Sequence, residues 1–132
     1  MRSVNDDVIS PVMRRIELQK TWHFESARRL TGLGDEHRCA RLHGSSFTVE
    51  VTVEAPLDPT TGWVVDFDVM ETAWKPLHEQ LDHRLLNDVA GLENPTTEHI
   101  ALWLLERLQF DGAKVRRVSV AELPTAKVTV YA

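Results

Sequence analysis

Four groups of residues in this chain carry side chains able to do chemistry. Glu122 closes a run in which Val118 and Val120 share its parity, so on a strand its carboxylate falls on the apolar side. A buried carboxylate without a partner is costly. It either reaches solvent at the strand end, which spacing alone favours, or waits for a donor-rich ligand. Asp82 and His83 are adjacent. A carboxylate orients an imidazole and stabilises its protonated form. Neighbours in one chain rarely pair directly, however, and Asp-His after a helix is more often a cap and a surface histidine. Cys39 and His43 have a Cys-x-x-x-His spacing in a glycine-bordered stretch. A thiolate beside an imidazole is a nucleophile or a base, whereas a lone cysteine is more often a small inert hydrophobe. The six histidines are His23, His37, His43, His78, His83 and His99. None forms a His-x-His or His-x-x-x-His pair, and zinc needs at least three well-placed ligands, so spacing alone supports no zinc site.

The elements that position these residues follow from periodicity. From Met13, Ile16, Leu18, Trp22 and Phe24 share one parity, which predicts a long half-buried strand. Thr31 to Gly44 has no period and reads as a loop. Its length marks it as functional or packed. In Ser46 to Glu54, Phe47, Val49, Val51 and Val53 line one face against Ser46, Thr48, Glu50 and Thr52 on the other. Such a strand, wet on one face, is typical of antiparallel sheets. Ala55 to Gly62 is dense in turn residues.

The period then changes to helical, with Met70, Ala73, Trp74, Leu77 and Leu81 recurring through Asp66 to Leu81. Pro76 should kink this helix or mark its effective start. Asn94 or Thr96 is the N-cap of a second helix, with Glu98 in its first turn. Its apolar stripe runs from Ile100 to Leu108, and Asp111-Gly112 ends it. Val115 to Glu122 and Ala126 to Tyr131 are strands turned by Pro124-Thr125. The order is strand, strand, helix, helix, strand, strand: an α+β fold with an antiparallel sheet and its helices on one face. Two open sheet edges invite pairing with other subunits.

Composition limits what this fold serves. The 132 residues fit one domain, with a polar extension over residues 1–12 and the domain over 13–132. Hydrophobic residues at 42% and charged residues at 27% are a globular balance. Twenty acidic against fifteen basic residues, net −5, oppose binding to a nucleic-acid backbone. No run approaches the roughly eighteen apolar residues of a membrane span, and the polar start of the chain shows no secretory signal. The single cysteine excludes an internal disulfide and fits a reducing compartment. A cytoplasmic location is expected.

In order along the chain stand Phe24-Glu25-Ser26-Ala27-Arg28-Arg29-Leu30, Cys39-Ala40-Arg41-Leu42-His43-Gly44-Ser45, and Thr61-Gly62-Trp63-Val64-Val65-Asp66-Phe67. They are followed by Leu81-Asp82-His83-Arg84-Leu85-Leu86-Asn87, Asn94-Pro95-Thr96-Thr97-Glu98 and Ala121-Glu122. Each is weak alone, but together and in this order they resemble the 6-pyruvoyl-tetrahydropterin synthase family, and more closely its 6-carboxy-tetrahydropterin synthases. The resemblance runs from about Phe24 to Glu122. It implies the tunnelling fold (T-fold), a four-stranded antiparallel sheet with two helices inserted between strands 2 and 3. It also implies a homohexamer of two trimeric rings with active sites at subunit interfaces. By position, Glu122 matches the glutamate that anchors the pterin ring, and Thr96 and Thr97 match residues near that ring. Cys39 matches the catalytic cysteine, and Asp82 and His83 match its acid–base partners.

The resemblance also implies a zinc ion held by three histidines, and here the chain departs. The usual Ala-His-Arg-Leu reads Ala27-Arg28-Arg29-Leu30, and the usual His-Gly-His reads His43-Gly44-Ser45. Arginine stays protonated and has no lone pair for a metal, and His43 alone cannot hold zinc. Zinc is therefore expected to be absent. So is the standard reaction, in which the metal polarises the side-chain oxygens of the substrate. Cys39, Asp82 and His83 then stand as possible remnants, and Glu122, Thr96, Thr97 and Arg28 as the ligand-binding set. Arg28 shares the parity of Trp22 and Phe24, so it points to the apolar side and needs an anion. Asp82 is the favoured protein partner, and a ligand carboxylate or phosphate is the alternative. The expected function is binding of a pterin-like ligand by a metal-free homologue. Its alternatives are an active 6-carboxy-tetrahydropterin synthase with substitute ligands, such as His37 or Cys39 with His43, and a non-catalytic oligomeric binding protein.

Overall fold

The computed structural model describes residues 14–132. The expected extension over 1–12 and the expected strand start at Met13 lie outside the described residues. Six main elements follow in order: β1 (Arg15–Arg28), β2 (His43–Pro56), α1 (Phe67–Leu81), α2 (Thr97–Arg107), β3 (Lys114–Leu123) and β4 (Ala126–Tyr131). The strands form one antiparallel sheet in the order β1-β2-β3-β4. This is the α+β arrangement that the periodicity predicts.

The alternating side chains sort the two faces. Trp22 and Phe24 of β1, Phe47, Val49, Val51 and Val53 of β2, and Val118 and Val120 of β3 are buried under the helices. The helices supply Met70, Trp74, Leu81, Ile100 and Leu104 to the same core. Trp22 stacks on Trp74 with ring centroids 4.7 Å apart, and its indole N–H donates to Glu71 at 2.8 Å. The other face is polar. Arg117 reaches Glu17 through two hydrogen bonds of 3.1 and 2.8 Å, and Lys127 lies 3.6 Å from Glu50.

Three details differ from the sequence-based expectations. Helix α1 begins at Phe67 and runs through Pro76 to Leu81, so the proline does not mark its start. The cap there is Asp66, whose carboxylate accepts from the Asp68 N–H. Helix α2 stops at Arg107, and the Leu108 N–H caps it onto Leu104. Asp111-Gly112 instead forms the turn into β3, with Gly112 at φ 79°, a conformation that glycine adopts without steric cost. Strand β2 begins at His43, so the loop before it is shorter than expected and holds a short 3-10 turn at Arg38–Ala40.

Register places the residues of interest. Arg28 lies opposite His43, and Ser26 opposite Ser45. Between β3 and β4 the pairs Ala121↔Lys127 and Leu123↔Ala126 leave Glu122 without a partner residue. Such a bulge bends a strand and re-aims its side chain. At its far end β1 is covered on its outer edge by the segment after α1. The Glu25 carbonyl accepts from the His83 N–H at 2.6 Å, and the Ala27 N–H donates to the Arg84 carbonyl at 2.9 Å.

Candidate functional site

Two groups of side chains form at this end of the sheet. The first centres on Arg28, the last residue of β1. The strand stays regular up to it, so the parity argument holds, and the side chain is 3% exposed. Its guanidinium lies over the Phe47 ring, 4.9 Å from the centroid. One Nη1 hydrogen donates to the Pro95 carbonyl at 2.9 Å, with the Thr97 hydroxyl at 3.5 Å. Nη2 donates to Glu122 Oε2. Arg28 thus joins the end of β1 to the bulge of β3 across β2, and ties both to the start of α2. Asp82, the partner favoured from sequence, is not the anion. Glu122, on the side of β3 that carries Val118 and Val120, meets the guanidinium, while Asp82 is engaged on the far edge of β1. Arg28 Nε is buried and meets no acceptor among the described residues.

The ligand-binding set therefore converges only in part. Arg28, Thr97 and Glu122 meet. Thr96 is the N-cap of α2, and its hydroxyl oxygen accepts from the His99 N–H at 3.0 Å. Two participants are absent from the sequence-based set, Phe47 and the Pro95 carbonyl. The first carries only a core signal in sequence. The second lies in the Asn94-Pro95-Thr96-Thr97 segment, where a residue just before an N-cap keeps its carbonyl outside the helix.

The second group is Asp82 and His83. Despite being neighbours they pair directly, with His83 Nδ1 2.8 Å from Asp82 Oδ2. The backbone makes this possible: His83 takes φ 55°, the left-handed conformation, which histidine tolerates better than most residues. The other Asp82 oxygen accepts from the Glu25 N–H at 2.9 Å. That backbone bond, followed by the bond from His83, holds the Asp82 carboxyl below its ordinary range. In return the bond and charge of Asp82 raise the His83 imidazole above the ordinary histidine value. His83 opens onto a hollow of about 610 Å³ lined by Glu25, Ser26, Ser45, Ser46 and Arg84. Ser46 donates to Glu25 at 2.9 Å, and the Ser26 hydroxyl to the Leu81 carbonyl.

Cys39 joins neither group. It is half-buried in the loop before β2, its N–H donates to His37 Nδ1 at 3.1 Å, and its carbonyl accepts from the Leu30 N–H. It makes no hydrogen bond to His43, which instead contacts the Arg41 carbonyl through Nδ1 at 2.8 Å.

The zinc implied by the resemblance can be set against these residues. Pairing of β1 with β2 puts positions 28, 43 and 45 on one face, as a shared metal requires. The donors do not fit. Position 28 holds a guanidinium already bound to a carboxylate, and position 45 a neutral hydroxyl. Among the described residues no three His, Cys, Asp or Glu side chains converge as a metal-binding set.

Comparison with known proteins supplies the remaining context. The model of the family described as 6-pyruvoyl tetrahydropterin synthase matches residues 17–132. The chain belongs to this family. It is 38% identical over 120 residues to the 6-carboxy-5,6,7,8-tetrahydropterin synthase of Synechocystis sp., covering 86% of this chain and 92% of that one. It is 39% identical over 84 residues to the dihydroneopterin monophosphate aldolase of Pyrococcus furiosus, covering 61% of this chain and 70% of that one. The fold matches the 6-pyruvoyl tetrahydropterin synthase of Caenorhabditis elegans with a TM-score of 0.81 at 21% identity, over 90% of this chain and 96% of that one. That likeness shows the T-fold, with its helix pair between the second and third strands. The family places the chain in pterin metabolism. No helix among the described residues is long and apolar enough to cross a membrane.

Proposed function

We propose that this family member binds a pterin-like ligand through Glu122 without zinc, and that it has lost the standard metal-dependent synthase reaction. The observation that carries this reading is the Arg28–Glu122 pair. A fixed buried cation fills the place of a histidine ligand and is neutralised by the residue that matches the family's ring anchor. A cation there repels a divalent metal and offers it no lone pair. Glu122 remains 39% exposed and faces open space, so it keeps the capacity to accept hydrogen bonds from a ligand. Thr97 stands beside the pair, and Thr96 fixes the helix start that carries it.

The Asp82–His83 pair supports a second reading, in which the chain still moves protons on its ligand. Its imidazole is oriented through Nδ1, which leaves Nε2 toward the hollow, and it is held in the protonated form to higher pH than usual. That is the arrangement of a general acid. Cys39 lies apart from it within one chain, so a reaction using both would draw them from different subunits. The two outer strands support assembly into a homohexamer of two trimeric rings, which closes the open sheet edges.

The test is calorimetry with a simple pterin, alongside metal analysis of the purified protein. Saturable binding is expected, weakened about tenfold or more by Glu122→Gln, since a charge-assisted bond of ~1.5–3 kcal/mol is replaced by a mismatched amide. Unchanged affinity in Glu122→Gln would make the glutamate structural. Turnover of the pterin by the native protein, lost in His83→Ala, would establish the second reading.

A further inference from the structure

Glu25 stands beside the Asp82–His83 pair and has no part in the chemistry described so far. It lies on the polar face of β1, opposite Ser46. The pair grips its backbone from both sides. The Glu25 N–H donates to Asp82 Oδ1 at 2.9 Å, and the Glu25 carbonyl accepts from the His83 N–H at 2.6 Å. The residue that orients the imidazole and the imidazole's own backbone therefore fix where the Glu25 side chain starts.

The carboxylate is oriented as well. Ser46 Oγ donates to Oε1 at 2.9 Å, and Oε2 has no hydrogen bond among the described residues. No hydrogen bond or ion pair joins the Glu25 and His83 side chains, whose imidazole Nδ1 is turned to Asp82. Both line the same hollow of about 610 Å³. Both reach solvent there, His83 with 76% of its side chain exposed. Their nearness shows in the imidazole, which is raised first by the bond and charge of Asp82 and further by the charge of Glu25. The floor of the hollow is low. Ala27 and Gly44 face each other in it, and a Cβ at Gly44 would meet nothing within 4 Å. A ligand side chain can enter without displacing either group.

A protonated imidazole gives a proton and cannot take one. Moving protons on a ligand needs an acceptor too, and two titratable groups with different environments facing one space assign the two roles. Asp82 has both oxygens engaged, and Cys39 does not line this hollow. Glu25 is the carboxylate that does.

Resting on the reading that the chain moves protons on its ligand, we infer that Glu25 is the base that works opposite His83. The hollow then takes a ligand bearing a carbonyl with a C–H beside it. Glu25 Oε2 takes that hydrogen as a proton. The C–H electron pair becomes the C=C bond of an enol, and the π pair of the carbonyl takes the proton from His83 Nε2. Glu25 ends protonated, His83 ends neutral, and the ligand is an isomer of what entered. The reverse step restores all three, so no oxidant, reductant or leaving group is needed.

The test is deuterium exchange in heavy water at neutral pH, with 6-acetylpterin as the probe. Its methyl ketone supplies the C–H beside a carbonyl, and NMR follows the loss of the methyl signal. The native protein should exchange it about 100-fold or more faster than buffer, the lower end of what positioned acid–base groups contribute. Glu25→Gln keeps the shape and an acceptor for Ser46 but cannot take a proton. It should lose tenfold or more of the exchange, and so should His83→Ala. The Glu25 side chain is exposed, so a native-like thermal unfolding of Glu25→Gln separates a lost base from a lost fold, and Glu25→Ala serves if the glutamine variant does not fold. Loss of exchange in His83→Ala with less than a tenfold loss in the Glu25 variant would overturn the inference and leave the proton-transfer reading standing with another base. No exchange above buffer by the native protein, or exchange that survives both changes, would overturn both.

Discussion

Asp82 grips its neighbour His83 and, with its other oxygen, the backbone of Glu25 on β1. One carboxylate therefore fixes both the imidazole and the strand edge it stands beside. The imidazole should titrate above an ordinary histidine, as followed by its ring-proton NMR shifts, and return toward the ordinary value in Asp82→Asn. The sign for stability follows from linkage. The raised His83 value contributes stability that is full below the unfolded-state value and is lost as pH rises through the folded one. The lowered Asp82 value contributes stability present above its unfolded-state value and lost as pH falls through the folded one. The pair is complete between these limits. A pH profile of thermal unfolding that falls at neither limit for the native protein, or one that Asp82→Asn leaves unchanged at both limits, would contradict it.

The Arg28–Glu122 pair makes an unequal prediction for its two members. Arg28→Met removes the donor of a buried carbonyl bond and the charge over Phe47, while the exposed side of Glu122 hydrates. Loss of about 2 kcal/mol of unfolding free energy is expected by urea denaturation. Glu122→Gln keeps an oxygen for Arg28 to bind but loses the charge, and should still cost more than a surface change because Arg28 stays buried. The double variant Arg28→Met, Glu122→Leu should recover part of the loss, since an apolar pair carries no desolvation cost. A double variant less stable than the sum of the single changes would mean that the pair is not the unit.

The two-residue period of β1 and β2, the helical period of α1, and the cap choice that included Thr96 all reflect local rules, and these were legible in the sequence. Parity also sent Arg28 to the apolar side. Its partner was not legible, because Glu122, although parity also sent it to the apolar side, is joined to Arg28 only through the β1–β2–β3 register, which no local period announces. The direct contact of Asp82 with His83 was hidden for a different reason. It depends on a single left-handed residue, and histidine shows no obligatory preference for that conformation. The end of α2 was misjudged because Asp111-Gly112 is a strong turn signal belonging to the approach to β3, not to the helix.

Open edges make a prediction about assembly. Strand β4 is an outer strand of the sheet, and among the described residues β1 is covered only where the segment after α1 crosses Glu25 and Ala27. Residues 15–24 of β1 and all of β4 carry edge donors and acceptors that a second copy can meet. Light scattering at micromolar concentration should give a species of about six times the 15.0 kDa chain. A stable monomer would refute it.

Metal analysis gives the last prediction. The β1–β2 register still places positions 28, 43 and 45 on one face, so the frame for three ligands persists although two donors are missing. Arg28→His removes the cation and releases Glu122. Ser45→His adds a nitrogen opposite Ser26. Together with His43 these give three imidazoles, the smallest protein set that holds zinc with an open fourth position. The double variant should bind one zinc per chain, whereas the native protein should bind none at His43 even with zinc in excess. Each single variant should bind weakly, because two imidazoles do not complete the set. Stoichiometric zinc in the native protein would refute the argument from Arg28. A folded double variant without zinc would show that the start of β2, where His43 now contacts the Arg41 carbonyl, no longer delivers its imidazole to the shared face.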